Sequence, residues 1–274
     1  MAEPLFILAP PHGHGALLAA ALGKHPGFAS LPATHLLCAD TPTDLAARWG
    51  DRLAGHDHGL LRAIAALITG DAAAADWLAA RKKTASADIF NALARAAAPR
   101  RLIDASFLYA VDDTALVRIA AHFPEARYIH LLRHPAAALP GPDQARARTA
   151  PLWLRPHLRI HAFLASLPPL NWLRLRTEWL AADPEPRLSA LLDWLDAPQD
   201  GDILADMLDP EILPDFATPG PDFAPHGVDP ALLADPGLDR LFAAPPAPDF
   251  SDDAWEAAGF DAETRAMARL FGYR

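Results

Sequence analysis

The opening of the chain, Pro4–His25 (PLFILAPPHGHGALLAAALGKH), constrains its fold more than any other stretch. Leu5-Phe6-Ile7-Leu8 has the character of a buried strand, Pro10-Pro11-His12-Gly13-His14-Gly15 that of a turn, and an apolar helix of Ala and Leu follows from about Ala16. A turn leading from the end of a parallel strand into a helix leaves several backbone N–H groups unpaired and aimed at one spot. That spot carries the positive end of the helix dipole, so it suits an anion, phosphate above all. The turn contains neither the G-x-G-x-x-G of dinucleotide-binding folds nor the Gly-Lys-Ser/Thr of a Walker A loop. Residues 4–23 carry no Asp, Glu, Lys or Arg. The start Met-Ala-Glu nevertheless lacks a basic region, and Pro-Pro-His-Gly-His interrupts the apolar run, so neither a signal peptide nor a membrane span is expected.

Further strands are expected at Gly27–Leu31, Arg101–Asp104, Arg127–Leu132 and Trp172–Arg176. Helices are expected from the Thr41-Pro42-Thr43-Asp44 start, over Leu60–Ile68, Ala72–Arg81 and Ala87–Ala97, and from the Asp112-Asp113-Thr114 cap through Phe123. Others are expected over Pro151–Leu167, Pro186–Leu195 and Asp261–Tyr273. Strands that alternate with helices predict an α/β protein, a parallel sheet flanked by helices on both faces. Asp209–Pro248 is rich in Pro, Gly and Asp but keeps Leu, Ile and Phe at intervals. It is expected to be an ordered excursion on the same unit, so that residues 1–274 form a single domain.

With 51% hydrophobic and 21% charged residues the chain is globular in composition, and its formal charge of −10 argues against nucleic acid or an anionic membrane as a partner. One cysteine, Cys38, excludes an intrachain disulfide and a Cys-based zinc site, which fits a cytoplasmic protein.

Three segments carry a family resemblance. PLFILAPPHGHGALLAAALGKHPGFASLPATHLL, LIDASFLYAVDDTALVRIAAHFPEARYIHLLRHPAAAL and RLRTEWLAADPEPRLSALLDWLDAP resemble, in order, the opening strand and phosphosulfate loop, the core strand ending Arg-x-Pro, and the Arg-Tyr-Glu-Asp-Leu unit of sulfotransferases. The likeness is to the bacterial and polyketide-type members, which TPGPDFAPHGVDPALL and the closing Leu-Phe-Gly-Tyr also resemble. It implies a sulfotransferase-like P-loop fold and sulfo transfer from 3′-phosphoadenosine-5′-phosphosulfate (PAPS) to a hydroxyl of a small molecule or of a carrier-bound acyl chain. The same resemblance casts Gly13, Gly15, Arg133, Asp104 and Ser106 as donor-binding residues, with Arg133 on the 3′-phosphate. In the loop, usually Pro-Arg-Ser-Gly-Thr-Thr, Gly13 is kept, but Pro11 replaces the cation, and His12, His14 and Gly15 replace the hydroxyls. Ala33 replaces a glutamate that is a candidate base, Ala105 a lysine, Phe107 a proline and Gly141 a serine. Losses of this kind lower donor affinity by on the order of a thousandfold.

The histidines left in the loop are candidates for other duties. His12 and His14 fit three readings: contacts to a phosphate or sulfate oxygen or a general base, metal ligands together with His35 or Asp104, or simple filling of an emptied site. As anion ligands they would act best below about pH 6.5, where imidazole is charged. His35 and His14 are the candidate bases toward an acceptor hydroxyl, and no metal is expected. Arg133 ends a strand at its carboxyl edge, where open α/β sheets place ligands. Asp104 and Ser106 end another strand, where turn capping is the alternative. His56-Asp57-His58 suits a helix cap. A second function remains open: a repurposed scaffold that no longer uses the sulfate donor and handles another metabolite through His12, His14 and His35.

Overall fold

The structure, a computed structural model, describes residues 3–52, 58–139, 143–209, 255 and 258–273. Leu5–Leu8 forms β1, with all four side chains fully buried. A strand buried on both faces belongs in the middle of a sheet. Among the described residues the order is β2 (Phe28–Ser30), β3 (Arg101–Asp104), β1, β4 (Arg127–Leu132), β5 (Trp172–Arg176), and every pairing is parallel. From β1 the chain lays down β2 and β3 on one side, then crosses to build β4 and β5 on the other. The winding therefore reverses at β1, and the carboxyl ends of β1, β3 and β4 come to one edge of the sheet, the usual ligand position of such folds. In register, Phe6 faces Asp104 and Leu8 faces His130, so β4 runs two residues beyond the end of β1 before reaching Arg133.

Side chains alternate between two apolar layers. Leu5, Ile7, Ile103, Ile129 and Leu131 pack with α1 (Gly15–Gly23) and later helices that are placed below. Phe6, Leu8, Leu102 and Tyr128 face α2 (Pro42–Trp49), α3 (His58–Ile64), α4 (Asp71–Ala79), α5 (Ser86–Ala97), α6 (Leu108–Val111) and α7 (Ala115–His122). Each such apolar side chain taken from water contributes about 1.5–3 kcal/mol. A short α8 (Pro135–Ala138) follows β4, and the long α9 (Asp143–Leu164) covers the second layer with Ile160 and Leu164. After β5 come α10 (Thr177–Ala182), α11 (Pro184–Trp194) and α12 (Gly201–Leu208), which close the first layer, and the chain ends near α13 (Ala262–Leu270). A third apolar cluster beyond β4 gathers Leu132, Leu139, Trp153, Trp255, Phe271 and Tyr273.

The expected strands all form, and Thr41 caps α2 by accepting the Asp44 N–H. Two helices differ from expectation. The segment from Leu60 to Ile68 divides into α3 and a π-helical turn, Ala65–Thr69, closed by Gly70 N–H on the Ala65 carbonyl at 2.9 Å. Proline suits a first helical turn, which pointed to a start at Pro151; instead α9 begins at Asp143 and carries Pro151 and Pro156 inside it. Burial of Trp153, Leu154, Ile160 and Leu164 along its inner face offsets the lost N–H groups. Residues 210–248 of the expected excursion, His56, Asp57 and Gly141 lie outside the described residues. Among the described residues no helix is long and apolar enough to cross a membrane.

Candidate functional site

The turn after β1 is held by Gly13 N–H on the Pro10 carbonyl at 3.0 Å. His12 and His14 flank Gly13 with φ of 64° and 63°, left-handed values that side chains other than glycine rarely take and that concentrate at functional sites. Gly13 itself admits no side chain: a Cβ there would lie 2.8 Å from the Pro10 carbonyl oxygen and 3.0 Å from Ala9 Cβ. His14 precedes α1 without a side-chain cap, and the first backbone bond into the helix is Leu18 N–H to the His14 carbonyl at 3.1 Å. The amides of Gly15, Ala16 and Leu17 make no hydrogen bond to a described backbone carbonyl, so three donors and the helix dipole converge at one point.

Arg133, at the end of β4, is 121 residues away in sequence and reaches this turn. Its Nη1 donates to the His12 carbonyl at 3.0 Å, while its own carbonyl accepts the Trp153 indole N–H at 2.9 Å. Burial disfavours the guanidinium charge, and the nearby Glu178 carboxylate favours it. The crevice thus holds one guanidinium beside three open amides, a donor set suited to an anion with more than one oxygen to bind.

Asp104 and Ser106 are turned into the protein interior. Asp104 is fully buried. Its Oδ1 accepts the Ser106 N–H at 2.8 Å and the Ser106 hydroxyl at 2.6 Å, and its Oδ2 accepts the hydroxyls of Thr34 and Tyr109, both at 2.8 Å. Burial pushes the carboxyl up, opposed by these hydrogen bonds. The Ser106 hydroxyl in turn accepts the His35 N–H at 2.9 Å. These two residues, expected as direct donor contacts, are occupied in fastening the segment after β2 to the end of β3. His35 sits there with φ of 52°, 6% exposed, its ring edge-on to Phe107 at 4.7 Å. Ala105, between them, borders the turn: a Cβ on Gly15 would lie 3.8 Å from the Ala105 Cβ. The places of the expected lysine and of one hydroxyl are therefore adjacent, and neither carries a polar side chain.

Beside the turn lies a groove of about 320 Å³. Its wall is apolar, with Val111 from α6, Leu139 after α8, and Leu152, Trp153 and Pro156 from α9; His12 and Pro11 close one end and Arg155 and Arg159 stand in the lining. Arg159 is fixed by Asp113 and by the Ala110 carbonyl, whereas Arg155 is exposed. The anion donors and an apolar groove thus meet at His12.

A family model described as "Sulfotransferase family" matches residues 4–201. The chain belongs to the sulfotransferase family. Two solved sulfotransferase domains are similar along its whole length. The domain from the curacin biosynthetic pathway has 24% identity and a TM-score of 0.80, covering 100% of this chain and 99% of that one. The domain from the Synechococcus PCC 7002 olefin synthase has 27% identity and a TM-score of 0.75, covering 100% and 97%. A mouse sulfotransferase complexed with PAP shares the fold at 11% identity and a TM-score of 0.51, covering 98% of this chain and 90% of that one. No curated protein sequence matches this chain.

This member of the family also contains features the residue pattern did not single out. The groove draws on α9, whose part in it is set by tertiary packing. His130, His157, His161 and Arg174 form a second polar cluster. Arg174 donates to Nδ1 of His130 at 3.3 Å and to Nδ1 of His161 at 3.0 Å, so His130 carries its proton on Nε2 and donates to His157 Nδ1 at 2.8 Å. Phe271 caps the cluster, with the Arg174 guanidinium 4.7 Å from its ring. The four-residue spacing of His157 and His161, one face of a helix, was the available signal. Among the described residues no group of three or more His, Cys, Asp or Glu is arranged to hold a metal ion.

Proposed function

We propose that this member of the family transfers a sulfo group from PAPS to a hydroxyl on an apolar acceptor, an acyl chain being the acceptor that best fits the groove. The observation that carries the reading is the junction of Arg133 with the turn after β1, beside the open amides of Gly15, Ala16 and Leu17. PAPS, when bound, supplies the sulfo group. Arg133 and the three amides would hold its phosphates, and the ring N–H of His12 or His14 would add to them. His14 or His35 would take the proton of the acceptor hydroxyl, and the groove walled by Val111, Leu139, Leu152 and Trp153 would hold the acceptor's apolar part and exclude water. Likeness to the domains from the curacin pathway and the olefin synthase supports an acyl chain, delivered free or on a carrier.

Calorimetric titration with adenosine 3′,5′-bisphosphate tests this. Micromolar binding is expected, weakened roughly 10- to 100-fold in Arg133→Ala, in keeping with loss of a charge-assisted contact. One observation favours a second reading, a scaffold repurposed for another metabolite: the neighbouring positions Gly15 and Ala105 carry no polar side chain. No binding of the bisphosphate up to millimolar concentration selects that reading.

A further inference from the structure

The end of the chain is fastened to the strand end that carries Arg133. Glu178, in the first turn of α10, is 9% exposed and receives two hydrogen bonds. Its Oε1 accepts the backbone N–H of His134 at 2.6 Å, and its Oε2 accepts the hydroxyl of Tyr273 at 3.0 Å. Tyr273 is 3% exposed, and its ring stands edge-on to His134 at 5.1 Å. Arg176 stacks on the same ring, 4.7 Å from its centroid, and donates Nε and Nη2 to the Phe271 carbonyl at 3.1 and 2.7 Å. Between these contacts Gly272 takes φ of 83°, and a Cβ there would lie 1.9 Å from Arg176 Nη2. The left-handed φ favours glycine here, and any Cβ would push aside the Arg176 guanidinium that holds the Phe271 carbonyl.

A single carboxylate therefore joins the C-terminal tail to the peptide that follows Arg133. The peptide between Arg133 and His134 is held at both of its polar atoms, its N–H by Glu178 and its carbonyl by the Trp153 indole, so the orientation of the unit that carries Arg133 out of β4 is fixed. The guanidinium can then meet the His12 carbonyl and face the crevice. We propose that Tyr273, acting through Glu178, is a positioning residue for Arg133, so that affinity for the 3′-phosphate of the donor depends on the Gly272-Tyr273 tail. This rests on the reading that Arg133 binds that phosphate.

Tyr273→Phe removes one oxygen and keeps the ring. The test titrates wild type and variant with adenosine 3′,5′-bisphosphate and with adenosine 5′-monophosphate, which lacks the 3′-phosphate, and compares melting temperatures. Tyr273→Phe is expected to weaken the bisphosphate about 5- to 20-fold, while the monophosphate stays within about twofold. A uniform loosening of the fold would weaken both ligands alike, and that result overturns the proposal, as does an unchanged affinity for the bisphosphate. Hydrogen exchange over residues 133–139 is a second measure, expected to quicken in the variant; an unchanged rate also overturns the proposal. Absence of bisphosphate binding by the wild type would instead overturn the donor reading together with this one.

Discussion

At Gly13 the turn after β1 has no space for even one methyl group, because the Pro10 carbonyl oxygen and Ala9 Cβ stand within 3.0 Å of where it would go. The constraint is steric and falls on backbone, which cannot swing aside as a side chain can. Gly13→Ala is expected to cost about 1–3 kcal/mol in a urea unfolding titration and to reduce affinity for adenosine 3′,5′-bisphosphate, since shifting the turn moves the His12 carbonyl that meets Arg133. His12 and His14 share the strain of the turn in left-handed conformations, and His35 takes the same conformation beside Ser106. Their residue types were visible in the sequence as candidate groups. That Ser106 and Asp104 hold His35 from within, with their oxygens turned to each other, was not visible, because it depends on how the segment after β2 meets the end of β3.

The cluster of His130, His157, His161 and Arg174 joins β4, α9 and β5, and Phe271 just beyond α13 covers it. Burial, with Arg174 adding repulsion, pulls His157 down to about 3; burial, with His157, Arg174 and His161 adding repulsion, holds His130 well below the ordinary histidine value. Both imidazoles are neutral in the fold and free to charge in the unfolded chain, so the unfolded state binds more protons in acid. Their contribution to stability is complete above about pH 6.5 and is lost as pH falls toward 3, by at most about 1.4 kcal/mol per pH unit for each imidazole. Urea midpoints measured at pH 7, 5.5 and 4 should fall in that order. His157→Gln keeps an acceptor for His130 and cannot take up a proton, so its midpoint should fall less steeply over the same range. The four-residue spacing on α9 indicated that His157 and His161 share a face; that the face meets Arg174 was decided by the packing of the helix on the sheet.

Across the whole molecule the site has two ends that meet at His12. One is the anion crevice between Arg133 and the start of α1, and the other is the groove along α9. The two ends should be separable. Val111→Trp, which fills the groove from the end of α6, is expected to leave bisphosphate affinity within about twofold. It should lower sulfo transfer to an apolar hydroxyl acceptor at least tenfold, read with labelled donor.

Patterns between near neighbours were enough to determine the strand, turn and helix of the first twenty-five residues, the alternation of strands with helices, the cap at Thr41 and the position of Arg133 at a strand end. Each depends on backbone propensity and burial over a few residues, which a linear text carries. Tertiary structure alone decided that Arg133 meets His12 across 121 residues, that α9 runs through two prolines to wall a groove, and that Tyr273 reaches Glu178. Those contacts arise from the reversal of winding at β1, which brings the ends of β1, β3 and β4 to one edge, and from close packing, which selects among side-chain contacts that sequence spacing leaves equally open.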